Sequence, residues 1–158
     1  MDKIIVQKSD FDLSTEVKFA REGNSATGAI VSFVGTVRDL EGDSLSSMTL
    51  EHYPQMTEKS LKSIALKARE RWEIQAITII HRIGKLKVED QIVLVIATSK
   101  HRSDAFDACH FIMDYLKTDA PFWKKESVNN KSSWVKSRDS DADQKNRWSL
   151  KAPNLPLD

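Results

Sequence analysis

The sequence predicts an α+β fold: a mixed, mainly antiparallel sheet with two long amphipathic helices and one short N-terminal helix. Two long segments carry apolar residues at helical spacing, Leu61, Ile64, Ala65, Ala68 and Trp72 in one and Ala105, Cys109, Ile112 and Leu116 in the other. The β-rich runs come in adjacent groups joined by short polar links, which suits antiparallel neighbours. Strands and helices do not alternate one to one, as a parallel α/β sheet would require.

In chain order, Lys3 to Gln7 reads as a short strand. Ser14 to Glu22 has capping-type residues and a helical pattern, closed by the stop signal Gly23-Asn24. Gly28 to Val37 is β-rich and largely apolar, a buried strand. After Arg38 and a polar loop, Met48 to Tyr53 alternates apolar and polar and is expected to form a hairpin with that strand. Pro54 and Thr57 introduce a helix to about Trp72. Ile77 to Ile83 and Gln91 to Ser99 are two strong strands, with Gly84 to Asp90 joining them as neighbours. Ser99 is the expected cap of a helix reaching Lys117, which Ala120-Pro121 ends because a residue before proline is pushed out of the helical region. Phe122 to Glu126 reads as a strand with Phe122 and Lys124 on one face and Trp123 and Lys125 on the other. A short strand around Ser133 to Lys136 and a polar stretch to Trp148 complete one domain over residues 1–150, with 151–158 an irregular tail.

The 158 residues suit one domain, and a net charge of +1 from 24 basic and 23 acidic residues does not favour a general nucleic-acid or membrane-surface role. A lone cysteine, Cys109, lies on an apolar helix stripe and reads as packing, in a chain of a reducing, cytoplasmic compartment. No run approaches the roughly 20 apolar residues of a membrane span. The common nucleotide-binding glycine loops are absent. His101 and His110 are nine residues apart and so on opposite helix faces, no C-x-x-C or H-x-x-x-H occurs, and neither a metal nor a cofactor is expected. His81 reads as a hydrogen-bonded, semi-buried ring, and Glu51-His52 is a formal acid–base pair.

Cations remain. His101 and Arg102 stand at a helix start, where positive charge is disfavoured by a few tenths of a kcal/mol, roughly the lower end of helix-dipole effects. An anion held by those side chains and the free N–H groups of the first turn would compensate. With Arg38 at a strand end, and Lys117 and Lys124-Lys125 flanking a turn, they could converge on an anionic small molecule or a carboxylate. A lysine desolvated beside other cations has its pKa lowered and can act as acid, base or nucleophile.

Six segments together, 33–38 (Phe-Val-Gly-Thr-Val-Arg), 50–54 (Leu-Glu-His-Tyr-Pro), 56–59, 80–84, 99–102 and 116–126, resemble the large, catalytic subunit of molybdopterin synthase in order and spacing. The resemblance covers about residues 28 to 138. It implies an α/β-hammerhead type of fold and a sulfur transfer in molybdenum cofactor biosynthesis. The implied partner is a small ubiquitin-like carrier whose C-terminal Gly-Gly thiocarboxylate delivers sulfur to cyclic pyranopterin monophosphate, giving the molybdopterin dithiolene. The implied assembly is a homodimer of this chain within a heterotetramer. Carried over by position, the substrate-contacting residues are Thr36, Val37, Arg38, His101, Arg102, Lys117, Lys124, Lys125 and Glu126, with Arg138 a possible addition. Lys117 is expected at the thiocarboxylate or its acyl intermediate and Lys124 in proton transfer or charge neutralisation. Gln55 and Glu89 stand where the family commonly has glycine.

Two other classes remain open on the residues alone. Trp123, Trp134 and Trp148 interleave with Lys124, Lys125, Lys131, Lys136, Arg138 and Arg147, as in a single-stranded nucleic-acid surface, although Asp139, Asp141 and Asp143 interrupt it. A structural dimer scaffold would leave Lys117→Ala folded and silent.

Overall fold

The computed structural model describes residues 1–39, 45–129, 131–135 and 139–149. The element order is β1 (Lys3–Gln7), α1 (Leu13–Arg21), β2 (Ala29–Thr36), β3 (Leu45–His52), α2 (Met56–Arg69), β4 (Ile74–Arg82), β5 (Gly84–Leu86), β6 (Gln91–Ser99), α3 (Arg102–Asp119), β7 (Phe122–Val128), β8 (Lys131–Val135) and α4 (Asp139–Asn146). Arg138 and the tail 151–158 lie outside the described residues.

Among the described residues there are two four-stranded sheets where one was expected, in the orders β1-β4-β6-β2 and β5-β3-β7-β8. In the first, only β1 with β4 is parallel; β4–β6 and β2–β6 are antiparallel, as the two Ile/Val-rich runs suggested. Alternation along β6 divides this sheet into two apolar faces. Val93, Val95 and Ala97 pack with α2 and α3 through Leu61, Ile64, Ile112 and Leu116. Leu94 and Ile96 pack with α1 through Ala20 and Val17.

The expected hairpin between β2 and β3 does not form. β2 lies along β6 from Ala29↔Ser99 to Thr36↔Gln91, while β3 pairs with β5 and β7. The alternating face of β3, Met48 and Leu50, has its own small core with Val37 and Leu86. The link 84–90 contains the short strand β5, whose Leu86 is buried. The polar stretch before Trp148 contains α4, a helix with no apolar stripe.

Two caps also differ from expectation. Asp12, which lies before the expected stretch 14–22, caps α1 by accepting from Thr15 N–H at 2.7 Å. At α3 no side chain caps the helix; Ser99 Oγ donates to Glu73 O at 2.7 Å and accepts from His101 N–H at 3.2 Å.

Gln55 and Glu89 both have positive φ, 67° and 76°. Gln55 centres a three-residue turn closed by Met56 N–H on Pro54 O at 2.8 Å. Glu89 is the third residue of the turn Lys87–Asp90, closed at 3.1 Å. Glycine occupies such backbone without a Cβ penalty. Gln55→Gly is expected to stabilise the fold by about 1 kcal/mol, a rise in Tm of roughly 3 °C read by thermal denaturation.

Candidate active site

The geometry around Lys117 follows from where α3 ends. Lys117 is an exposed residue of the last turn and borders a cavity of about 450 Å3 that Val31, Phe33, Phe106 and Met113 also line. The chain leaves the helix at Ala120 in extended conformation, turns at Pro121 with Phe122 N–H on Ala120 O at 2.9 Å, and enters β7. β7 then lies against β3 with Phe122↔His52 and Lys124↔Leu50.

His81 is the floor of this corner. It follows Ile77 and Ile79 along β4 and is 5% exposed, and its ring stacks on Phe122 with centroids 3.7 Å apart and planes at 16°. Its Nδ1 is 2.8 Å from Arg82 O; a carbonyl only accepts, so Nδ1 carries the proton and Nε2 keeps a lone pair. Burial first, then the nearby His52 and Lys117, hold the His81 pKa down to about 4. The semi-buried, hydrogen-bonded histidine expected from the sequence is therefore a neutral ring beside Lys117. Folding excludes a proton that the unfolded chain takes up below its ordinary value near 6.5. His81 thus favours the unfolded state progressively as pH falls from 6.5 toward 4. In urea titrations, His81→Phe is expected to lose about 2 kcal/mol less stability than the parent between pH 7 and pH 4.5.

On the face of β7 shared with Phe122, Lys124 Nζ is 2.9 Å from Glu126 Oε1, whose side chain is mostly buried. Lys125 projects to the opposite face, its ammonium 5.6 Å from the Trp134 ring centre. The run 124–126 is thereby split, as alternation demands: Lys124 and Glu126 belong with Phe122, and Lys125 with the outward aromatics. Lys117 lies near His81, and Lys124 is two residues beyond Phe122 on the same face of β7.

Thr36, Val37 and Arg38 finish β2 and leave it. Val37 is 4% exposed, and both of its backbone groups are bonded, N–H to Asp90 O at 2.9 Å and C=O from Glu89 N–H at 2.8 Å. It is a fixed point from which Thr36 and Arg38, both exposed, are held out, and offers no side chain of its own to a ligand.

His101 and Arg102 are exposed at the opposite end. A helix rises 1.5 Å per residue, so about 22 Å of α3 separate Arg102 from Lys117. Along β2 the same holds: Ala29 is opposite Ser99, seven residues or about 23 Å from Thr36. Within one chain, Arg38, Lys117 and Lys124 belong to one end of the sheet and His101 and Arg102 to the other.

Cys109 is 4% exposed, and burial pushes its thiol up to about 12, so it stays protonated at neutral pH. Trp148, one of three rings in the nucleic-acid reading, is 2% exposed in the core against Trp72 and Phe111. Lys145 and Arg147 pair with Asp119 and Asp114 at 2.6 and 2.7 Å. That reading loses one of its three rings and, in Arg147, one of its cations. Among the described residues no three acidic, histidine or cysteine side chains group to hold a metal, and no helix is long and apolar enough to cross a membrane.

Comparison with known proteins gives the family. Residues 6–119 match the family model described as "MoaE protein". A curated protein of Ralstonia nicotianae, named molybdopterin synthase catalytic subunit, is 50% identical over 155 residues, 98% of this chain and 88% of that protein. The solved molybdopterin biosynthesis MoaE protein of Burkholderia ambifaria superposes with a TM-score of 0.83 at 49% identity, covering 96% of this chain and 100% of that one. A complex of subunits 1 and 2 of molybdopterin-converting factor from Helicobacter pylori shares the fold at a TM-score of 0.71 and 22% identity, covering 87% of this chain and 91% of that one. On the family match and the identity over nearly its whole length, the chain belongs to the MoaE family.

Proposed function

We propose that this chain is the catalytic subunit of a molybdopterin synthase, transferring sulfur from the C-terminal thiocarboxylate of a small carrier protein to cyclic pyranopterin monophosphate. What supports the reading is an exposed Lys117 at the rim of an open cavity and near His81, with the Lys124–Glu126 pair on the same face of β7 as Phe122. A thiocarboxylate is an anion and already a good nucleophile at neutral pH, so the site must hold it and neutralise it rather than activate it. Lys117, at the cavity edge, takes that part or receives the acyl group once sulfur has left. Lys124, bonded to Glu126, has a partner to exchange a proton with and serves the phosphate ester oxygen released on ring opening. Arg38 is a phosphate ligand from the same end of the sheet.

His101 and Arg102 join this site from a second copy of the chain. Side chains reach about 7 Å, and two of them cannot span the length of α3. The uncapped start of α3 leaves first-turn N–H groups beside these two cations, a suitable anion seat. A complex of two subunits in the Helicobacter pylori relative fits the need for a carrier. The buried lone thiol fits a reducing, cytoplasmic setting.

The test mixes the purified chain with thiocarboxylated carrier and the cyclic pterin and measures molybdopterin. Product is expected with the parent chain, and about 10²–10³-fold less with Lys117→Ala. No product from the parent, or undiminished product from Lys117→Ala, overturns the reading.

A further inference from the structure

The Pro121–Phe122 link lies on the covalent path between the two lysines; two residues from other elements grip it and a third holds the next residue. Thr57, in the first turn of α2, is wholly buried, and its Oγ donates to Pro121 O at 3.0 Å. His81 stacks on Phe122 from below. Tyr53 meets Trp123 edge-on with ring centres 4.4 Å apart. Thr57 is itself held: its N–H donates to Tyr53 O at 3.0 Å, across the strained turn at Gln55. The helix it opens packs through Leu61 and Ile64 into the same core as Ile112 and Leu116 of α3.

We propose that Thr57 and His81 are positioning residues of the sulfur-transfer site, fixing the Pro121–Phe122 corner and with it the separation of the Lys117 and Lys124 amino groups. Neither is placed to touch substrate; both act through the link. This rests on the sulfur-transfer reading above. The physical reason is that Lys117 rides on α3 and Lys124 on β7, two elements of different packing layers. With the carbonyl of Pro121 unpaired, or Phe122 unsupported, the strand end is free to shift against the helix end. A misplacement near 1 Å costs about a hundredfold in rate when two groups must act together. A hydroxyl is needed because an apolar residue cannot donate to the part-buried Pro121 carbonyl, and an aromatic is needed at position 81 because Phe122 presents its ring face.

The experiment is steady-state kinetics of Thr57→Val, Thr57→Ser, His81→Leu and His81→Phe in the reconstituted reaction, corrected for folded protein by circular dichroism. Thr57→Val keeps the volume and loses the donor; kcat is expected to fall about ten- to a hundredfold with KM for carrier and pterin unchanged. Thr57→Ser is expected to recover most of that loss. His81→Leu should lose turnover likewise, while His81→Phe, which keeps a ring on Phe122, stays within about threefold of the parent. Thr57→Val within about twofold of the parent, or a loss that Thr57→Ser does not repair, overturns the proposal. Should Thr57→Val not accumulate as folded protein, the His81 pair decides alone: equal rates for Leu and Phe overturn it. An inactive parent chain would instead sink the sulfur-transfer reading, which separates the two failures.

Discussion

Mixing Lys117→Ala chains with Arg102→Ala chains is expected to restore activity that neither variant has alone. In the proposed dimer, each pure variant carries the same defect in both sites. If Arg102 serves the site of its neighbour, a mixed dimer concentrates both substitutions in one site and leaves the other intact. Random reassortment of equal amounts makes about half the dimers mixed, so the mixture should reach about a quarter of parent activity. The expectation comes from one dimension of the molecule, the roughly 22 Å of α3 between the two residues. Were both cations to act in their own chain, every dimer would hold defective sites only, and the mixture would stay at the level of the single variants. The measurement is molybdopterin formed after subunit exchange, with exchange verified by native mass spectrometry of differently tagged chains.

Trp148→Ala is expected to be the most destabilising single substitution on the C-terminal side, costing about 3–5 kcal/mol and lowering Tm by roughly 10 °C. α4 has no apolar stripe, so its attachment to α3 rests on the residues at its C-terminal end. Trp148 fills a space between Trp72 and Phe111, and its Nε1–H donates to the nearly buried Asp114 at 2.7 Å. Arg71 donates to the Trp148 carbonyl at 2.9 Å, and Arg147 adds a second donor to Asp114. Truncation opens a cavity and strips one of the donors from the nearly buried Asp114 carboxylate. Trp134→Ala, at an exposed position on β8, is the control and should cost less than about 1 kcal/mol. Comparable losses for the two variants in chemical denaturation would contradict the plug.

The central elements were legible because their signals are local and strong. The Ile/Val runs of β4 and β6 and the stripes of α2 and α3 state both type and buried face. The partner of β3 was not legible. Met48 and Leu50 alternate in the same way whichever strand lies beside them, and the choice of β7 over β2 depends on the separate core with Leu86 and Val37. α4 was missed because a helix of polar residues has no period, and Trp148 looked like a surface ring because its neighbours in sequence are charged. The site was half legible. Residues 99–126 read as one unit because they are continuous, yet a helix carries its two ends apart. His81 had a usable signal, a polar residue two steps beyond Ile77 and Ile79 on a buried face. Thr57 had none, since its partner Pro121 is distant in sequence.

The stiffness of α3 also limits how such a chain can drift over evolutionary time. Replacing residues along its outer face leaves its length unaltered, but one inserted residue would turn everything beyond it by about 100° and push it 1.5 Å onward. Lys117 would then swing off its corner while Arg102 stayed where it was. Tolerated additions and deletions should therefore collect in the connecting loops, and this helix should behave as a ruler that cannot be re-cut.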